Sequence, residues 1–447
     1  MGDLSDRATR ALARLLVRVF YRDAEVQGAE VVPAEGPVLF VANHGNALVD
    51  PMVLVACLPR IPRFLAKHTL WSNPAVRPLL SLAGSIPIYR AQDGGTSRND
   101  ETFTVCFQEL ASGNAVALFP EGISHDEPEL QPLRTGAARI ALGARAQGAE
   151  PMTIAPVGLT FEEKGRFRSR LLVTVGEPIV PAPDITADDA DAARALTQRI
   201  DEGLRDVTLN YESWEAAQLA ERSAAILAAA ETRPAPGRAA LGEHFTLRRA
   251  FGNRYEETRA AHPERCASLD TVVQRYQHLL DDLGLRDDHV TSDYTWQHSL
   301  RYVGYRVPVL LARLPFALVG FVLNYLPYRL PGWAAKIVRN EGDQPATYKV
   351  LTGLVAFPVF WAIECALAGW AWGTGGAAAM AVVAPATGWT ALRFFERNES
   401  FWTELRAWLT LRLLPGRGEA LRTLRQEIRK ELVALLGPDE APDDAAP

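Results

Sequence analysis

Between about Val38 and Val180, short apolar runs alternate with helical patterns, and this alternation narrows the possible folds more than any other feature of the chain. Val38 to Val41, Ala115 to Phe119, Thr153 to Val157 and Leu171 to Val175 are short and almost continuously apolar, the pattern of strands buried on both faces. Pro51 to Leu58, Thr102 to Ser112 and Gly136 to Ala146 carry helical patterns between them. Such alternation predicts an α/β domain with a mostly parallel sheet flanked by helices. In sheets of this kind, ligands sit beyond the carboxyl ends of the strands.

The rest of the 447 residues divides by composition. Residues 1–35 hold a basic amphipathic helix, in which Arg10, Arg14, Arg18 and Arg22 recur every four residues with Leu12, Leu15, Leu16, Val19 and Phe20 opposite. That shape suits an anionic membrane surface, and it equally suits a surface helix packed on its own domain. Residues 36–182 form the α/β domain, and 183–301 are mainly helical and charged, with a break at Thr232 to Gly237. Residues 302–400 are membrane-like, and 401–447 read as a helical tail with a disordered end.

Within the membrane-like region, Val350 to Trp372 runs for 23 residues with only Glu364 charged, against roughly 20 apolar residues needed to span a bilayer. Gly375 to Leu392 is a second uncharged run, joined to the first by Gly373-Thr374-Gly375-Gly376, so the two form a helical hairpin. Lys349, Arg393 and Arg397 flank its ends, which the positive-inside rule places in the cytoplasm. A third segment, Val307 to Leu326, carries Arg313 and Pro315 and is either a kinked span or an interfacial segment that never crosses. Glu364 is costly in a span unless paired, and Arg313 is its candidate partner. A buried core is the alternative for all three segments.

The formal charge of −6 gives no general attraction to nucleic acid. The four cysteines lack metal-ligand or disulfide-framework spacing, which favours a reducing compartment and indicates no metal. No signal peptide is evident.

Chemistry concentrates in two turns. Val41-Ala42-Asn43-His44-Gly45-Asn46-Ala47-Leu48-Val49-Asp50-Pro51 follows the first strand, and Phe119-Pro120-Glu121-Gly122-Ile123-Ser124-His125-Asp126 follows another. Asp50 precedes a proline, so a helix starting at Pro51 with Asp50 as its N-cap is one reading. The other folds the loop back, so that Asp50 fixes the imidazole of His44 and makes it a general base. Glu121 can accept hydrogen bonds from sugar or glycerol hydroxyls, and Gly122 permits close approach of ligand to backbone; a solvated acidic turn after a strand is the alternative. Arg90, at the end of Gly84 to Arg90, and Arg134, in Leu133-Arg134-Thr135-Gly136, are cations suited to phosphate. His125 reads chiefly as a support for its own turn, and His68 as a surface histidine.

In order, Asn43-His44…Asp50, Gly84…Arg90, Phe119-Pro120-Glu121-Gly122 and Ile154-Ala155-Pro156-Val157 resemble the blocks of the glycerolipid acyltransferase family, which includes glycerol-3-phosphate and lysophosphatidic acid acyltransferases. Five residues separate His44 from Asp50 where the family usually has four, and Ile123-Ser124-His125 stands where Thr-Arg-Ser is usual. Arg134 is the candidate to replace the lost arginine. Both departures are similar to the fungal branch that acylates glycerol 3-phosphate and dihydroxyacetone phosphate, as is Leu130-Gln131-Pro132-Leu133 downstream.

The resemblance implies an integral membrane acyltransferase of phospholipid biosynthesis with its catalytic domain on the cytoplasmic side. His44, oriented by Asp50, would deprotonate an acceptor hydroxyl attacking an acyl thioester. Arg90, Glu121, Gly122 and Arg134 would hold the glycerol phosphate acceptor. Acyl-CoA or acyl carrier protein would be the donor, a membrane lipid the product or partner, and no cofactor would be needed. Glycerol 3-phosphate is the preferred acceptor and lysophosphatidic acid, or another lysophospholipid, the alternative. A non-catalytic lipid-binding homologue and a thioesterase-like hydrolase are the competing classes.

Overall fold

The computed structural model describes residues 3–72, 76–89, 99–181, 190–228, 241–291, 296–337 and 345–437. These fall into two compact units, 1–210 with 335–351, and 211–334 with 352–447.

The first unit opens with α1 (Asp3–Phe20) and β1 (Asp23–Gln27), followed by β2 (Val38–Ala42), α2 (Val49–Cys57) and β3 (Arg63–Lys67). It continues through α3 (Arg77–Leu82), β4 (Ile86–Ile88), α4 (Asn99–Ala111), β5 (Ala115–Leu118), α5 (Gly136–Ala146), β6 (Thr153–Phe161), β7 (Arg170–Val175) and α6 (Ala190–Val207). The seven strands are ordered β1-β7-β6-β2-β5-β3-β4. Every neighbouring pair is parallel except β6 with β7. The sheet is therefore mostly parallel and flanked by helices, as the alternation predicts.

Strand periodicity divides the buried side chains between two cores. Val38, Phe40 and Ala42 of β2 face one core, with Ala13, Val17 and Phe20 of α1 and Val49, Val53 and Leu54 of α2. Leu39 and Val41 face the other, with Cys106 and Leu110 of α4, Ile140 and Ala141 of α5, and Leu196, Ile200 and Leu204 of α6. Hence β2 is buried on both faces, which its unbroken apolar sequence requires.

The amphipathic helix α1 settles on its domain through Thr9, Ala13, Val17 and Phe20. Arg10 and Arg14 of its basic face donate to the carbonyls of Pro59 and Ala56, at the C-terminal end of α2, where cations complement the helix dipole. Leu4 and Leu15 remain exposed.

The second unit holds α7 (Trp214–Ala228), α8 (Leu241–Ala261), α9 (Pro263–Leu283), α10 (Asp287–Thr291), most of α11 (Trp296–Ile337), the bulk of α12 (Pro345–Leu413) and α13 (Pro415–Leu436). The disordered end expected beyond α13 lies outside the described residues from 438 onward. Two stretches, Val307–Ile337 and Pro345–Glu396, are long and apolar enough to cross a membrane. A buried-core role does not fit them, because Val322, Leu367, Trp370 and Trp372 are all more than 60 % exposed.

α12 breaks at Gly373, whose φ of 73° and ψ of −170° reverse the chain. Gly369 then lies against Ala377, so the two arms pack back to back as a hairpin. α11 packs on both arms of this hairpin. Gly320 abuts Thr387 and Ala391 on the second arm, and Pro331 lies against Gly353 on the first, both contacts far from the turn. Between them Asn324 donates to the Ala384 carbonyl at 3.2 Å and accepts from Trp361 at 2.9 Å. The proposed Glu364–Arg313 pair does not form: Glu364 Oε2 is buried without a hydrogen-bond partner among the described residues.

Candidate active site

β2 and β5 are adjacent and parallel, with Val41 opposite Leu118. The loops leaving their carboxyl ends are therefore neighbours, and these loops carry His44 and Glu121.

His44 Nδ1 lies 2.9 Å from Asp50 Oδ2. A buried carboxylate only accepts, so the imidazole proton sits on Nδ1 and the lone pair on Nε2. The ring stacks on Phe119 at 3.9 Å and 9°, which fixes its plane. Asp50 is fully buried and also accepts the Asn46 N–H at 2.7 Å through the same oxygen.

Asp50 is not the N-cap of α2. The helix begins at Val49, with Asp50 in its first turn and Pro51 next, where a missing N–H costs nothing. Starting the helix two residues earlier swings the Asp50 carboxylate back under the loop. Tyr21, also buried, has its hydroxyl pushed well above the ordinary range, by burial first and by the charge of Asp50 second.

The second loop braces the first. Glu121 Oε1 accepts the His44 N–H at 2.8 Å, and the His125 N–H donates to the His44 carbonyl at 3.1 Å. Ser124 Oγ accepts the Ala47 N–H at 3.0 Å, where Ala47 takes a positive φ of 42°. Glu121 Oε2 accepts from Gln131 N–H at 2.9 Å and from His125 Nε2. Glu121, read in the sequence as a holder of glycerol hydroxyls, thus has both oxygens taken by protein donors. His125 has both nitrogens engaged, since Nδ1 accepts the Glu127 N–H at 3.2 Å, which matches its reading as a support for the turn. His68 is not a bare surface histidine; it is half-buried and stacks on Tyr89 at 4.6 Å.

Gly122 has φ 74°, and a Cβ there would fall 2.8 Å from Arg134 Nε. The backbone N–H of Arg134 donates to Pro120 at 2.9 Å, while its exposed guanidinium makes no hydrogen bond or ion pair among the described residues. Arg90 lies outside the described residues.

Sequence reasoning missed three supports. Asn43 closes a two-way amide pairing with the Leu159 backbone, at 3.1 and 2.7 Å, at the end of β6. Asn46 links Asp50, the Lys164 carbonyl and the Tyr21 hydroxyl. Thr347 accepts the Leu48 N–H at 3.2 Å from far downstream.

Two families match the chain: Acyltransferase over residues 23–160, and the Glycerol-3-phosphate acyltransferase 2 C-terminal domain over 232–437. An uncharacterized acyltransferase of Schizosaccharomyces pombe is 24% identical over 96% of this chain and 80% of its own length. Glycerol-3-phosphate O-acyltransferase 2 of Saccharomyces cerevisiae is 27% identical over 59% of this chain, and the yeast glycerol-3-phosphate O-acyltransferase 1 is 23% identical over 77%. The chain spans 37% and 59% of the lengths of these two yeast relatives. The chain thus carries an acyltransferase domain followed by a domain of the glycerol-3-phosphate acyltransferase 2 C-terminal type, which supports an O-acyltransferase.

Proposed function

We propose that the protein transfers a fatty acyl group from acyl-CoA or acyl carrier protein to a hydroxyl of glycerol 3-phosphate, at a membrane, as a step of phospholipid synthesis. The observation that carries this reading is the 2.9 Å contact between His44 Nδ1 and the buried Asp50, just beyond the carboxyl end of β2.

In this reading His44 Nε2 takes the proton of the acceptor hydroxyl as its oxygen attacks the thioester carbonyl carbon. The carbon–sulfur bond then breaks, and the proton passes from the imidazolium to the leaving thiolate. Asp50 keeps the imidazole in the Nδ1–H tautomer and stabilises its positive charge. Neither a nucleophilic side chain nor a metal or organic cofactor is required. Arg134, beside the Gly122 backbone and unpaired among the described residues, is the candidate for the acceptor phosphate, joined by Arg90. Glu121 acts on the acceptor indirectly, by holding the loop that carries the base.

Glycerol 3-phosphate is the acceptor of choice because the two yeast relatives act on it by name and because the C-terminal domain is of the glycerol-3-phosphate acyltransferase 2 type. Lysophosphatidic acid is the second reading, favoured by a 24% identical 1-acyl-sn-glycerol-3-phosphate acyltransferase of Bacillus subtilis, which aligns with 41% of this chain. The α12 hairpin inserts in the bilayer, and its basic ends keep residues 36–182 on the cytoplasmic side.

The test is labelled acyl-CoA supplied to the reconstituted protein with glycerol 3-phosphate, dihydroxyacetone phosphate or lysophosphatidic acid. Labelled lysophosphatidic acid formed only when glycerol 3-phosphate is present supports the reading. Free fatty acid formed at the same rate without acceptor marks a hydrolase, and no turnover with any acceptor marks a silent homologue. His44→Ala abolishes turnover in a folded protein; an active variant removes His44 from the mechanism.

A further inference from the structure

The loop that carries His44 and Asp50 is braced from three directions. Glu121, Ser124 and His125 hold it from the β5 side, and the Lys164 carbonyl accepts from Asn46 on another. The third brace is the first turn of α12, some 300 positions downstream of the loop, which belongs to the same compact unit as the loop.

That turn is fitted closely. Ala346 is fully buried in the core that holds Val49 and Val53, and Val350 packs against the same core. Lys349 Nζ donates to the Gly165 carbonyl at 2.5 Å, and Pro345 lies over Gly165. Thr347, itself buried, accepts the Leu48 N–H at 3.2 Å and turns its hydroxyl to the Asn46 carbonyl at 3.5 Å. Asn46 is the residue whose own N–H binds Asp50 Oδ2. The Thr347 hydroxyl therefore touches the loop on both sides of Ala47, one residue's backbone away from the partner of His44. Three positions after Thr347, the apolar run of the first arm, with only Glu364 charged, begins at Val350.

We infer that Thr347 is a positioning residue for the acyl transfer, and that the foot of the membrane arm is a working part of the catalytic loop's scaffold. The inference rests on the reading of His44 as the base. Its physical content is that one hydroxyl satisfies a part-buried backbone N–H and steers a carbonyl in the loop, so the seating of the first turn of α12 sets where Asp50 holds the imidazole. A side chain of the same shape without the hydroxyl keeps the packing and loses the steering.

The experiment compares full-length parent, Thr347→Ser and Thr347→Val in phospholipid nanodiscs, with His44→Ala run beside them. Thr347→Val lowers kcat by about tenfold and leaves both KM values within about twofold, because a small displacement of the base costs rate and not binding. Thr347→Ser keeps the hydroxyl and returns kcat to within about twofold of the parent. Independently of activity, hydrogen exchange of the peptide containing Leu48 quickens in Thr347→Val and not in Thr347→Ser. Parental kcat and parental exchange in Thr347→Val overturn the inference, and so does a Thr347→Ser as impaired as Thr347→Val. Activity in His44→Ala overturns instead the reading on which it stands. A dead His44→Ala together with an unimpaired Thr347→Val leaves that reading intact and removes only this inference.

Discussion

Glu121 accepts the backbone N–H of His44 at 2.8 Å, across the gap between two loops that adjacent parallel strands place side by side. The carboxylate serves three donors at once, and so stiffens the loop that carries His44. Glu121→Ala strands three part-buried donors, each costing up to about 1–3 kcal/mol. The variant loses kcat and several degrees of thermal stability together, while KM for the acceptor stays near parental. Steady-state kinetics beside a melting curve check this, and a selective rise in acceptor KM would return Glu121 to the binding site.

Asp50 is fully buried and bonds His44 Nδ1 and Asn46 N–H through one oxygen. Asp50→Asn keeps the volume and removes the charge. Its amide can offer an N–H toward Nδ1, which moves the imidazole proton to Nε2 and blocks the base. The expected loss in kcat is about 10²–10⁴-fold, the usual range for general-base catalysis. Turnover within a few-fold of the parent, measured on protein of unchanged circular dichroism, would separate Asp50 from the chemistry.

How far these relationships could be read from the chain depends on the kind of signal each leaves. The central strands are legible because burial on both faces demands an unbroken apolar run, as in Val38 to Ala42. β1, β3 and β4 are not: Asp23–Gln27 and Arg63–Lys67 lie toward the sheet's margins with charged residues at exposed or half-buried positions, and Ile86–Ile88 is three residues long with a proline at its centre. His44, Asp50, Glu121 and Arg134 stand out by residue type and order. Their partners do not, because Thr347 and Asn46 meet only after folding, and no local pattern marks a contact so remote in sequence. The aspartate-proline pair mimics a cap and points to a start at Pro51, whereas α2 begins at Val49, with Asp50 inside its first turn and bonded to His44 and Asn46.

Arg134 lies against Gly122, with its guanidinium unpaired among the described residues. A phosphate-holding arginine contributes to acceptor binding more than to proton transfer. Arg134→Ala therefore raises KM for glycerol 3-phosphate by about tenfold or more, since a charged hydrogen bond is worth about 1.5–3 kcal/mol, and leaves KM for acyl-CoA unchanged. Gly122→Ala weakens the same step, because it strains a backbone at φ 74° and drives a methyl into the Arg134 side chain. Acceptor titrations at saturating donor decide the matter, and an unshifted acceptor KM in Arg134→Ala would count against the assignment.

Asn324 binds the Ala384 carbonyl, the Gly320 carbonyl and the Trp361 ring nitrogen, and so ties α11 to both arms of the hairpin. Polar bonds between apolar helices contribute about 0.6 kcal/mol each on average in a membrane. Asn324→Ala lowers the unfolding temperature in detergent by a few degrees, and Asn324→Gln recovers part of it. An unchanged melting curve for Asn324→Ala would mean that close packing at Gly320 and Gly388 holds the crossing by itself.

His289 is buried in α10, and burial pushes its imidazole from 6.5 down to about 4, with Arg286 adding to the fall and Asp288 opposing it. Its Nδ1 accepts the Arg286 N–H at 3.1 Å, and Nε2 has no hydrogen-bond partner among the described residues. The folded protein thus keeps this histidine neutral, whereas the unfolded chain takes up its proton from about pH 6.5 downward. Stability from this group is whole above pH 6.5, falls as the pH drops towards about 4, and levels off below that. The full loss is about 3 kcal/mol at 1.36 kcal/mol per pKa unit. His289→Asn can accept the same Arg286 N–H and does not titrate. Denaturant unfolding at pH 7 and again near pH 4 measures the difference: the parent loses more stability than His289→Asn across that interval, and parallel losses in the two proteins would show that His289 is already protonated in the fold.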